Sequence, residues 1–62
     1  MTKKQFAQEI KKLRKEMDLS QQGLADILCL NKMTVYRWEN EIAAPKPLIM
    51  RFWIEEINKH GR

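Results

Sequence analysis

"QQGLADILCLNKMTVYRWEN", residues 21–40, decides how this chain folds. Ser20 stands just before it and is a good N-cap for a short helix running through Leu28. Leu24, Ile27 and Leu28 give that helix an apolar side, and Ala25 is small where another helix could cross closely. Cys29-Leu30 breaks the pattern. Asn31 can cap a further helix from Lys32 to about Asn40, with Leu30 and Val35 placed as a hydrophobic staple. At about 100° per residue, Lys32, Tyr36, Asn40, Met33 and Arg37 share one arc of that helix. Val35, Trp38 and Thr34 fall on the opposite side. Two short helices joined by a tight turn, the second with one packing face and one mixed face of cations, amide, phenol and thioether, make a helix-turn-helix pattern.

The flanks read as helix too. Thr2-Lys3-Lys4-Gln5 has the form of a capping box. Behind it Phe6, Ile10, Leu13 and Met17 repeat at helical spacing, one apolar stripe over about four turns. The loop Glu41-Ile42-Ala43-Ala44 leads to Pro45-Lys46-Pro47, and proline suits the first turn of a helix. A last helix is therefore expected from near Lys46 to about Lys59, with the tail His60-Gly61-Arg62 frayed. Strand and hairpin signals are nearly absent. The predicted architecture is all-α: a compact four- to five-helix domain over residues 1–62, with its helix-turn-helix at 21–40.

Composition narrows the function. The net charge is +4 with a pI of about 9.5, which suits a polyanionic partner. Residues 1–19 hold six Lys/Arg against three acids, whereas residues 20–44 hold two against three, so the segment that looks like a reader does not act by bulk charge alone. Cys29 is the only cysteine and His60 the only histidine. A disulfide within the chain is excluded, a metal staple is not expected, and no cofactor is implied. One Cys, one His and scattered carboxylates offer no nucleophile with a base, so an enzyme is not expected. The lone thiol, without an apolar leader or membrane-length run, points to a cytoplasmic protein with no membrane partner.

The stretch "LRKEMDLSQQGLADILCLNKMTVYRWEN" resembles the DNA-binding domains of the phage Cro/repressor (lambda-repressor-like) helix-turn-helix family. The likeness rests on Ser20-Gln21, Leu24-Ala25, Thr34-Val35 and Trp38-Glu39 at fixed spacing, close over residues 13–40 and looser from Pro45 to Trp53. It implies roles residue by residue. Gln21 resembles a glutamine that meets the DNA backbone or groove edge. Lys32, Met33 and Arg37 match positions that face base edges, and Tyr36 one that points to the backbone or a neighbouring base. Thr34 and Asn40 complete the candidate DNA-contacting set. Arg14 and Glu39 match a structural salt bridge between the first and third helices. The chain departs from the family pattern at Asp18, Cys29 and Glu41, where glycine is frequent. There Asp tolerates a left-handed backbone, Asn40 could take that role after the third helix, and Cys29 would be strained. Gly23 inside the second helix and the neutral "EIAAP" loop are further departures.

Other residues have plainer readings. The lysines of the first helix form a solvated face, Lys3 and Lys4 being the candidates for DNA contact. Cys29 reads as a small buried hydrophobe, Trp38 as core, His60 as a solvated tail residue. In the last helix Leu48, Ile49, Met50, Phe52, Trp53, Ile54 and Ile57 exceed one buried stripe. Ile49, Phe52 and Ile57 could close the small core. Met50, Trp53 and Ile54, with Ile57 beside them, are then the candidate dimer interface. The function implied is a sequence-specific double-stranded DNA-binding regulator, a homodimeric repressor of its own or a neighbouring operon, with no small-molecule ligand. The alternative is a protein-binding module, an antitoxin or adaptor, whose partner surface is the last helix.

Overall fold

The computed structural model describes residues 1–61; Arg62, part of the tail expected to fray, lies outside them. Among the described residues there are four helices and no strand: α1 (Lys3–Glu16), α2 (Gln21–Leu28), α3 (Lys32–Glu39) and α4 (Pro47–His60). The caps start them where the sequence reading puts them. Thr2 Oγ1 accepts from the Gln5 amide at 3.1 Å while Gln5 Oε1 accepts from the Thr2 amide at 2.9 Å. Ser20 Oγ accepts from Gly23 N–H at 3.0 Å, and Asn31 Oδ1 from Met33 N–H at 2.9 Å. Each satisfies a backbone donor that has no partner inside its helix. Helix α4 has no side-chain cap; it opens instead on Pro47, which has no N–H to satisfy.

All three connections from α1 to α4 begin alike. Asp18, Cys29 and Glu41 adopt φ of 57°, 58° and 59°. In each case the next residue donates back across the helix end: Leu19 to Arg14 O at 3.1 Å, Leu30 to Ala25 O at 2.8 Å, Ile42 to Arg37 O at 3.0 Å. These are Schellman motifs with no glycine at the left-handed position. Leu19 and Leu30 are half-buried against the core, adding the apolar contact that accompanies the motif; Ile42 is exposed and adds none. Two expectations change. Glu41, not Asn40 (φ −101°), is the left-handed residue after α3, at the position where the family pattern has glycine. Cys29 is exposed, since its left-handed backbone swings the side chain off the buried side of α2. A left-handed residue with a Cβ loses about 1–2 kcal/mol. Glycine there loses about 0.5–1 kcal/mol of extra chain entropy. Cys29→Gly and Glu41→Gly should therefore each raise the unfolding free energy by roughly 0.5–1 kcal/mol. Equilibrium urea unfolding checks this, and no gain at either site would contradict a strained turn.

The core is formed by Phe6, Ile10 and Leu13 of α1, Leu24, Ala25 and Leu28 of α2, Val35 and Trp38 of α3, and Met50 and Ile57 of α4. Phe6 meets Trp38 edge-to-face at a centroid distance of 5.2 Å, and Trp38 meets Trp53 at 5.6 Å. Helix α3 thus packs on α1 and α2, and the Trp38–Trp53 ring contact ties it to α4. A Cβ at Gly23 would lie 3.3 Å from the capping Ser20 Oγ and 3.4 Å from Leu19, so a larger residue there needs these side chains to shift by a few tenths of an ångström.

Helix α4 turns a different face inward from the one expected. Met50 is 4% exposed and Ile57 fully buried, with Trp53 and Ile54 half-buried beside them. Met50 and Ile57 are therefore core, not a free dimer surface, while Trp53 and Ile54 pack against that core with part of each side chain exposed. Ile49 and Phe52, expected to close the core, are 45% and 50% exposed, and Leu48 is 81% exposed. The packing of Trp53 against Trp38, with the rings tilted by 51°, fixes this rotation of α4, in which residues 50, 53, 54 and 57 face inward together.

Candidate nucleic-acid interface

Helix α3 is held from behind. Val35, Trp38 and Glu39 are buried, whereas Lys32, Met33, Tyr36, Arg37 and Asn40 are exposed. The expected arc is therefore the outer face, with Thr34 half-buried at its border rather than on it. Among the described residues neither Lys32 nor Arg37 is in an ion pair. Both cations are free to meet an external anion or base edge. Met33 and Tyr36 sit between them as large exposed apolar surfaces, which a purely solvating face would not need. Asn40 is partly committed: its Nδ2 donates to Tyr36 O at 2.8 Å, closing the end of its own helix, so only its carbonyl oxygen and second N–H remain available.

The Glu39 carboxylate anchors the back of α3 to α1. Arg14 Nε donates to Oε2 at 2.7 Å and Arg14 Nη2 to Oε1 at 3.0 Å, a bidentate pair. Arg14 Nη1 donates to Leu19 O at 2.9 Å, so the same guanidinium also fastens the turn into α2. The Glu39 side chain is 2% exposed, and no buried side-chain polar atom lacks a partner among the described residues. Hydrogen bonding to Glu39 raises the Arg14 pKa above its usual value; partial burial works against this, and the carboxylate charge adds to it. Arg14 is therefore charged at any ordinary pH.

Sequence reasoning missed one member of this cluster. Gln21 Nε2 donates to Glu39 Oε1 at 3.3 Å, which makes the first residue of α2 a third partner of the bridge. No periodicity relates residues 21 and 39, since they lie on different helices that meet only once α2 and α3 have packed. The signal available was chemical: a buried carboxylate has more acceptor capacity than one arginine fills.

Among the described residues no group of three or more His, Cys, Asp or Glu side chains could hold a metal ion, and no helix is long and apolar enough to cross a membrane. The site consists of hydrogen-bonding and apolar side chains on a rigid helix, suited to recognition. Comparison with known proteins agrees with this geometry. The model of the helix-turn-helix family matches residues 10–60, from the middle of α1 to the end of α4. No curated protein and no solved structure matches the chain. A match over that span, with α3 braced by Arg14 and Glu39 and presenting Lys32, Met33, Tyr36 and Arg37 outward, means that the chain belongs to the lambda-repressor/Cro-like helix-turn-helix family of DNA-binding regulators.

Proposed function

We propose that the protein reads double-stranded DNA with α3 in the major groove and acts as a dimeric repressor, of its own operon or a neighbouring one. The observation that carries the readout is the exposed arc of Lys32, Met33, Tyr36 and Arg37 on a helix whose opposite side is locked in the core. Arginine pairs bidentately with the O6 and N7 of guanine, and a methionine side chain fits a thymine methyl. Gln21, in the first turn of α2, adds a contact to the phosphate backbone beside the free N–H groups of that helix start. Backbone contacts position a protein, whereas base contacts specify the sequence.

The two kinds of contact separate in a mutational test. Arg37→Ala should weaken binding to the preferred site by about 1–3 kcal/mol and relax the preference at one G·C pair. Gln21→Ala should weaken binding by a similar factor on every duplex. Equal losses for Arg37→Ala on preferred and random duplexes, measured by fluorescence anisotropy at fixed salt, would remove Arg37 from the readout.

A monomer with two cations on its reading helix touches too few base pairs for tight binding at physiological salt. Leu48, Ile49 and Phe52 supply an exposed apolar face on α4, and a two-fold pairing of that face would join two copies. Phe52 meets Trp53 edge-to-face at 5.2 Å, and Trp53 meets Trp38 at a tilt of 51°, so the paired surface would be linked through aromatic contacts to the reading helix.

A further inference from the structure

We infer that Glu39 is a positioning residue for DNA binding: its hydrogen bond to Gln21 pre-orders the Gln21 amide for the phosphate backbone. This rests on the proposed DNA-binding reading. A carboxylate only accepts, so the nitrogen end of the Gln21 amide must face Glu39 Oε1, at 3.3 Å. The oxygen is itself fixed, because Arg14 Nη2 donates to it at 3.0 Å while Arg14 Nε holds Oε2 at 2.7 Å. The carboxylate is nearly solvent-free, so water does not compete for it. Gln21 is half-exposed, and its amide keeps one N–H and its carbonyl for an outside partner. An unrestrained glutamine must lose its rotamer freedom when it meets a phosphate. That loss corresponds to roughly a twofold to tenfold weakening of affinity. Glu39 removes it before DNA arrives. The bridge so far assigned to stability thus reaches the DNA surface through one more hydrogen bond.

A cycle of four proteins tests this: wild type, Gln21→Ala, Glu39→Gln and the double variant, each titrated with a duplex at a temperature where circular dichroism finds all four folded. Glutamine at position 39 keeps the shape but has one acceptor oxygen in place of two. With that oxygen on Arg14 Nε, the shortest of the three bonds at 2.7 Å, its NH2 faces Gln21 Nε2 and the bond to Gln21 is lost. Glu39→Gln should weaken binding about threefold to tenfold when Gln21 is present, and by less than about twofold in the Gln21→Ala background. A loss of equal size in both backgrounds would overturn the positioning role, because a purely structural effect ignores what occupies position 21. Failure of the wild type to bind any duplex would instead overturn the DNA-binding reading beneath it. A second measurement needs no variant: in the DNA-free wild type, NMR relaxation should find the Gln21 side-chain amide ordered like the backbone. An amide as mobile as that of Gln8, exposed on α1 and without a side-chain hydrogen bond among the described residues, would overturn the proposal.

Discussion

Arg14→Met should remove a large share of the protein's stability. The substitution keeps much of the side chain's length but leaves the Glu39 carboxylate, 2% exposed, with Gln21 as its only side-chain partner. Stranding one half of a buried pair costs about 3–5 kcal/mol. A chain of this size has roughly 3–9 kcal/mol in all. Glu39→Ala should cost about 3 kcal/mol, toward the lower end, because Arg14 is 17% exposed and keeps its bond to Leu19 O. Replacing both, Arg14→Met with Glu39→Leu, should recover most of the loss, since the pair's attraction largely offsets its own desolvation. Urea midpoints at neutral pH measure all three. Losses that simply add in the double variant, or a loss under about 0.5 kcal/mol for Glu39→Ala, would contradict a desolvated pair. The raised pKa of Arg14 sets the sign with pH. Its contribution is fully present below the unfolded value and is lost as pH rises through the higher folded value. Both lie above the range of ordinary buffers, so Arg14 adds no slope to stability between about pH 5 and 9.

The second large effect is expected on DNA affinity. Leu48→Glu combined with Phe52→Glu should yield a folded monomer that has lost tight operator binding. Leu48 is 81% exposed in the first turn of α4, where a glutamate suits the helix dipole and the fold loses little. Specific dimers bind operators at about 10⁻⁸–10⁻¹¹ M, against 10⁻⁴–10⁻⁶ M for non-specific contacts, so the loss should be on the order of a thousandfold or more. Met50→Glu is a different experiment: Met50 is 4% exposed, so a charge there should unfold the chain rather than separate two copies. Analytical ultracentrifugation with and without an operator duplex reads the outcome. A wild type that stays monomeric on DNA would refute the pairing, and an α4 face that instead captures a different protein would favour the adaptor reading.

Much of this was visible in the residues alone. The stripe Phe6, Ile10, Leu13 repeats at helical spacing and is buried throughout, and the caps at Thr2, Ser20 and Asn31 bond as their side-chain types require. The outer arc of α3 follows from one rotation of 100° per residue. Helix α4 was harder because its apolar residues cover more than one stripe. Residues 50, 53, 54 and 57 do have the i, i+3, i+4, i+7 spacing of a buried face. What selects them is the Trp38–Trp53 contact, a long-range pairing that no local window contains. The strained left-handed turn at Cys29 was legible from its place in the family pattern, whereas the exposure of its thiol and the left-handed Glu41 in place of Asn40 depend on how the turns close. The Gln21–Glu39 bond appears only after α2 and α3 have met.

Selection of bound duplexes from a random pool shows whether α3 reads DNA sequence. Enrichment of inverted repeats whose half-sites lie about one helical turn, 34 Å, apart is expected. Each half-site should carry a G·C pair whose preference is relaxed by Arg37→Ala. Inserting about five base pairs between the halves should abolish tight binding, because it turns one half-site to the far side of the duplex. Recovery of a pool as random as the one supplied, with binding that depends on salt but not on sequence, would contradict sequence readout by α3.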